Sequence, residues 1–251
     1  MARIARTPPG AKPLRKRAVD ARELMDDPDC DLEPLRRTYR QFRLMNRLVA
    51  GWHGTYLERI RPLLSATEPS TLLDVGCGGG DIARALARWA ARDGLLLEVV
   101  GIDPDARAIA AALEAPNPDG VRFAQANSSQ FVDVAQRWDF VISNHVLHHL
   151  TVTELEDLLI DCELLTRGLA VHSDIRRSRG AYAAYWLLTA LPFPFFRHSF
   201  LREDGLTSIR RSYTAPELSV VARRGWVVES QSPYRVLLSY AAKPEAAGTA
   251  D

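Results

Sequence analysis

Three of the chain's six histidines, His145, His148 and His149, stand within five positions of one another. Imidazole titrates near neutral pH, so these groups suit proton transfer from a hydroxyl or metal binding. His145 and His149 are four apart and would share a helical face, but no third ligand follows at a zinc-like spacing. The sequence is therefore read as holding no metal. Upstream lies a second chemical feature, Leu72-Leu73-Asp74-Val75-Gly76-Cys77-Gly78-Gly79-Gly80-Asp81, in which an apolar run and an acid precede a string of glycines. Glycine is needed where the backbone takes positive φ or where a ligand lies against the main chain. The amides opening the next helix favour negative charge, so a nucleotide-like ligand is implied. The dinucleotide fingerprint G-x-G-x-x-G is not met, because its third glycine, counted from Gly76, falls on Asp81. Asp74 instead ends its strand with a carboxylate able to accept hydrogen bonds from a cationic amino-acid group.

The elements that must position these groups follow from hydropathy. Residues 95–103 form a second apolar strand closed by Asp103, and Pro104-Asp105 opens a helix over 106–115. A third strand over 121–126 leads to Asn127 and Ser128. A fourth, 140–143, runs into Asn144 and the histidines, and a fifth, 169–174, ends on Asp174. Apolar strands alternating with helices predict a mostly parallel sheet covered on both faces, with its ligand at the carboxyl ends of the strands. Before the first strand, Leu32, Leu35, Tyr39, Phe42 and Met45 recur at helical steps, and a second helical segment covers 55–64. After the fifth strand, Tyr182 to Phe196 carries no charge, yet it is shorter and more proline-broken than the roughly 20 apolar residues of a membrane span. The run contains Tyr185, Trp186 and Phe196. Charges at 202–211 interrupt it. Thr214-x-x-Glu217 then caps a helix running to Gly225, and strands over 226–229 and 236–241 close the chain as an antiparallel hairpin.

At 251 residues, 47% hydrophobic and 25% charged, with a formal charge of +1, the composition is that of a soluble globular domain without a global field for nucleic acid or membrane. Cys30, Cys77 and Cys162 are an odd number with no metal or disulfide spacing, which suits a reducing cytoplasm. The expected organisation is a disordered basic arm over 1–30 and a helical cap over 31–68. A main domain over 69–243 would follow, with a helical insertion at about 178–212, and then a frayed tail over 244–251.

Asp74-x-Gly76-x-Gly78-x-Gly80 after an apolar strand, followed by a second strand ending in Asp103, resembles the class I S-adenosylmethionine (SAM) methyltransferases. The similarity extends to the small-molecule branch of ubiquinone, menaquinone and secondary-metabolite enzymes. It implies a Rossmann-like seven-stranded sheet with an antiparallel last strand, helices on both faces and an N-terminal helical cap. It also implies SAM as cofactor, held by Asp74, Gly76, Cys77, Gly78, Gly80, Asp103, Pro104, Asn127, Ser128 and Asn144. Asp103 would take the ribose hydroxyls, and Asn127 stands where the family usually has an acid near the adenine. By the same match, His148, or His149 in second place, acts with Asp174 on the acceptor. Tyr39, Phe42, His145, Tyr185, Trp186 and Phe196 would line the acceptor pocket. The expected reaction is methyl transfer to an oxygen of a small, largely apolar phenolic or polyketide-like acceptor. The alternatives are carbon methylation of an electron-rich quinone-like or lipid-like substrate, or a non-catalytic SAM-binding regulator. The partner expected is a small molecule, without nucleic acid or stable membrane insertion, with surface contact and a homodimer left open.

Overall fold

The computed structural model describes residues 14–190 and 198–243. A seven-stranded sheet in the order β3-β2-β1-β4-β5-β7-β6 forms its centre. The strands are β1 Ser70–Val75, β2 Leu97–Asp103, β3 Val121–Gln125, β4 Trp138–Asn144, β5 Thr166–Ile175, β6 Val227–Gln231 and β7 Arg235–Ala241. The first five pair in parallel, while β7 runs against both β5 and β6. This is the Rossmann-like arrangement expected. The chain moves outward from the centre in both directions, so strand order reverses between β1 and β4. A ligand crevice opens there, outside the carboxyl ends of the strands.

Both faces of the sheet are covered, which is why β1 is apolar at consecutive positions. Leu72 packs with Ile82, Leu86 and Ala90 of α3 (Asp81–Arg92) and with Trp52, Tyr56 and Ile60 of the cap. Its neighbour Leu73 faces the other way, among Trp138, Trp226 and the Leu155, Leu159 and Cys162 stripe of α6 (Val152–Leu165). Each fully buried leucine of this kind contributes about 1.5–3 kcal/mol. A reciprocal cap starts α6: the Glu154 amide donates to Thr151 Oγ1 at 3.2 Å and the Thr151 amide to Glu154 Oε2 at 2.8 Å. Between the strands lie α4 (Ala106–Leu113) and α5 (Ser128–Asp133). The cap consists of α1 (Leu32–Val49), begun by Asp31 accepting from the Glu33 amide at 3.0 Å, and α2 (Trp52–Thr55), which continues into a π-helical turn, Tyr56–Ile60.

Three features differ from the sequence reading. Residues 14–30, expected within a disordered arm, are tied to the domain although most of them stay exposed. Arg17 Nε donates to the Arg211 carbonyl at 2.6 Å, and its guanidinium lies 3.5 Å from the centre of the Tyr213 ring. Asp204 accepts from the Leu24 and Met25 amides at 2.7 and 3.0 Å. Second, the charges at 202–211 do not break the insertion but form α8 (Leu201–Arg211), which follows α7 (Arg179–Ala190). Asp204 and Arg211 are buried there because the N-terminal segment supplies their partners. Tyr185 joins α7 to α8 by donating to the Leu201 carbonyl at 2.6 Å. Third, α9 (Ala215–Val221) ends before Gly225, whose φ of 97° serves the turn into β6 instead. Residues 1–13, Phe196 and the tail from 244 lie outside the described residues. Among the described residues, no helix is long and apolar enough to cross a membrane.

Candidate active site

The glycine loop is shaped by steric necessity. Gly76, Gly78 and Gly80 take φ values of 69°, 52° and 72°. A Cβ at Gly80 would lie 2.3 Å from the Phe123 ring, and one at Gly76 would lie 2.5 Å from Val146. The Gly76 and Cys77 amides both donate to the Ile102 carbonyl, at 2.8 and 3.0 Å, which ties the loop to β2. Asp103, at the end of β2, accepts from the Gly78 amide at 3.0 Å and the Asp105 amide at 2.9 Å. Its carboxylate is therefore fixed beneath the loop with lone pairs to spare.

Asp74 is different. It is 1% exposed, and neither carboxylate oxygen makes a well-formed hydrogen bond among the described residues. Burial, then the charges of Asp81 and Asp103, pushes its carboxyl well above the usual carboxylate range, with weak relief from the Ala83 backbone. Burial raises Asp81 and Asp103 as well. A buried acid left unsatisfied costs about 1–3 kcal/mol, so a fold keeps one chiefly where a ligand completes it. Three acids around a glycine cradle fit a cationic ligand. The ammonium and sulfonium charges of SAM suit this set of acceptors.

From this cradle a cavity of about 600 Å³ continues toward the insertion. Gly76, Cys77, Gly78, Pro104 and Asn144 line its near end together with Asp74 and Asp103. Tyr39 packs against the glycine loop at the cradle, and the rest of the lining includes Phe42, Met45, Leu150, Tyr185, Leu188, Leu201 and Ile209, an apolar wall interrupted by Glu23, the three clustered histidines and Arg235. Of the predicted cofactor residues, Gly80 shapes the loop from behind. Asn127 and Ser128 are off the cavity: Asn127 is exposed and caps α5, and Ser128 Oγ donates to Asp161 at 2.5 Å. Trp186 also points elsewhere, its ring 5.7 Å from the Arg202 guanidinium.

The histidines divide by partner. His148 Nδ1 lies 2.8 Å from Asp174 Oδ1, and the His148 amide donates to Asp174 Oδ2 at 2.9 Å, so Asp174 stands behind His148 and fixes its ring. His148 Nε2 faces Glu23 Oε1 at 3.4 Å, too long for a good hydrogen bond. Burial alone would lower the His148 pKa, but Asp174 and Glu23 override it and raise it to about 9. Burial acts against both acids too, yet the His148 charge holds Asp174 and Glu23 below the usual range. His145 sits at a left-handed φ of 61° and takes a hydrogen bond at Nε2 from Arg235 at 2.9 Å. Burial and then Arg235 push it well below its ordinary value, so it is neutral. His149 turns to Asp26 and Glu23, at 3.4 and 3.8 Å, rather than to Asp174. His172, on β5, is outside the site: it bonds Ser143 at 2.7 Å, stacks on Trp226, and burial lowers it to about 3.

Sequence reasoning missed Glu23, Asp26 and Arg235. Nothing in the local pattern of an acid-rich segment marks Glu23. Arg235 had one signal, its place at the head of an apolar strand. It is buried at 2% exposure, bonded to Asn144, Ser173 and His145, and burial lowers it to about 10.

Sheet order, glycine cradle and terminal acids together define the architecture of a class I SAM-dependent methyltransferase. The profile of the methyltransferase-domain family matches residues 45–213, well over half of the chain. The chain belongs to that family. A ubiquinone biosynthesis O-methyltransferase from Rhizobium rhizogenes is 29% identical over 174 residues, covering 66% of this chain and 64% of its own length. A ribosomal RNA small subunit methyltransferase C from Klebsiella pneumoniae is 33% identical over 157 residues, 60% of this chain and 43% of its own. The chain thus spans less than two thirds of either relative. Among solved structures, the plantazolicin methyltransferase BpumL, in complex with S-adenosylhomocysteine (SAH), shares the fold with a TM-score of 0.54. It is 14% identical, and the match covers 88% of this chain and 93% of that one.

Proposed function

We propose that this chain transfers a methyl group from SAM to an oxygen of a small, largely apolar aromatic acceptor. The observation that carries the reading is the continuity of one cavity, from the unsatisfied Asp74 carboxylate to an apolar chamber lined by Glu23 and by His148, which Asp174 backs. Bound in the cradle, SAM would supply an electrophilic methyl group on a sulfonium. The protein's part is alignment and proton handling. Asp74 would hold the ammonium end and Asp103 the ribose, with the methyl group presented to the chamber. Phe42, Tyr185 and Leu201 exclude water and seat an aromatic ring, with Tyr39 closing the glycine-loop side. Glu23 would face the acceptor hydroxyl and receive its proton, its carboxylate fixed by Ser208 at 2.8 Å and kept ionised by the charge of His148, which Asp174 clamps. The relative from Rhizobium rhizogenes, named as an O-methyltransferase of ubiquinone biosynthesis, supports oxygen and an aromatic ring. The apolar wall supports a small acceptor over a polyanionic RNA.

A panel of phenols and hydroxylated quinones, incubated with SAM and read by mass spectrometry, tests this. A product gaining one methyl group, lost with Asp174→Asn, is expected. Transfer to RNA, or SAM binding with no transfer to any acceptor, would refute it.

A further inference from the structure

We propose a divalent transition-metal site at the acceptor end of the cavity, built from Glu23, His148 and His149. Sequence spacing paired His145 with His149 and offered no third ligand; the fold instead sets His148 and His149 against Glu23. A carboxylate oxygen of Glu23 and one ring nitrogen from each histidine all lie within 4.8 Å of one another. His148 Nε2 is 3.4 Å from Glu23 Oε1, and His149 Nε2 is 3.8 Å from Glu23 Oε2. Both gaps are long for hydrogen bonds. They approach the edge of a zinc coordination tetrahedron, about 3.3 Å for metal–ligand bonds of about 2.0–2.1 Å.

Two independent features point to a ligand. His148 Nε2 is aimed at this point with no hydrogen-bond partner, on a side chain 1% exposed. The other nitrogen of each histidine faces a carboxylate: His148 Nδ1 bonds Asp174 at 2.8 Å, and His149 Nδ1 is more loosely paired with Asp26 at 3.4 Å. That is the outer arrangement which orients metal-binding imidazoles. Ser208 fixes Glu23 by donating from Oγ at 2.8 Å. Two imidazoles and one carboxylate suit zinc and neighbouring first-row ions rather than magnesium or calcium. Because all three residues line the cavity, the remaining positions of the ion are open to an oxygen of the acceptor. With an ion bound, Glu23 serves as its ligand in place of its role as proton acceptor in the ion-free site; the ion replaces the Nε2 proton, and an acceptor hydroxyl bound to it loses its own proton to solvent.

The site is tested on the full chain, stripped with a chelator and titrated with Zn²⁺ by calorimetry and with Co²⁺ by visible absorption, in the absence of SAM and acceptor. One ion per chain is expected. Glu23→Gln and His149→Ala should each weaken binding at least about tenfold, while His53→Ala, remote on α2, should not. Melting curves establish that each variant is folded, and isosteric Glu23→Gln decides should His149→Ala fail to fold. No saturable binding, or parental affinity in a folded Glu23→Gln or His149→Ala variant, overturns the site. Either failure leaves the methyl-transfer reading standing, because SAM binding is measured separately.

Discussion

Asp74→Asn separates what the cradle does for the fold from what it does for its ligand. The side chain keeps its shape and loses its charge. In the ligand-free protein the buried carboxyl is unsatisfied, so removing the charge relieves part of a penalty of about 1–3 kcal/mol. A net gain of about 1 kcal/mol would raise the melting temperature by about 2–4 °C at this chain length. Ligand affinity should move the opposite way. A charge-assisted hydrogen bond to an ammonium is worth about 1.5–3 kcal/mol, a loss of about 10- to 150-fold in affinity. Acidity adds a second signature. The Asp74 carboxyl is raised in the folded protein, so its destabilisation is complete above the folded pKa and fades as pH falls toward the unfolded value. Ligand binding needs the charged form, so parental affinity for SAH weakens on acidification, and the variant loses that part of the dependence. Calorimetry with SAH across pH, alongside melts with and without ligand, measures all three effects. A variant that melts lower than the parent and binds SAH within about threefold of it would refute the reasoning.

Other substitutions probe separate parts of the molecule. Gly80→Ala meets both a left-handed φ and the Phe123 ring, so a loss of at least about 1–2 kcal/mol is expected in denaturant titration, with weaker SAH binding. Glu23→Gln, which removes the proton acceptor, should lower kcat by about 10²–10⁴-fold in the methyl-transfer assay while SAH affinity stays near parental. Leu159→Ala, at a fully buried position in α6, should cost about 2–5 kcal/mol by chemical denaturation without altering the SAH affinity of the folded fraction.

The parts legible in the sequence were those encoded locally. The Asp74–Gly80 loop, the acid closing β2 and the alternation of apolar strands with helices each lie within a few adjacent residues, and steric rules tie them to one geometry. The His148–Asp174 pair came from the family resemblance, supported by parallel strands β4 and β5 ending on the same sheet edge. Glu23 was not legible, since its role depends on a segment folding back over α8 through Asp204 and Arg211, contacts between distant stretches of chain. The same long-range pairing explains why charges over 202–211 looked like an interruption. Asn127 and Ser128 were placed by analogy of position after β3, and the capping demand of α5 turns them away from the cavity.

A crystal structure of the full chain with SAH bears most directly on the account. It should place the amino group against Asp74, the ribose hydroxyls on Asp103, and the sulfur facing the chamber bounded by Glu23, His148 and Tyr185. An SAH amino group away from Asp74, or a sulfur facing a closed wall, would contradict it.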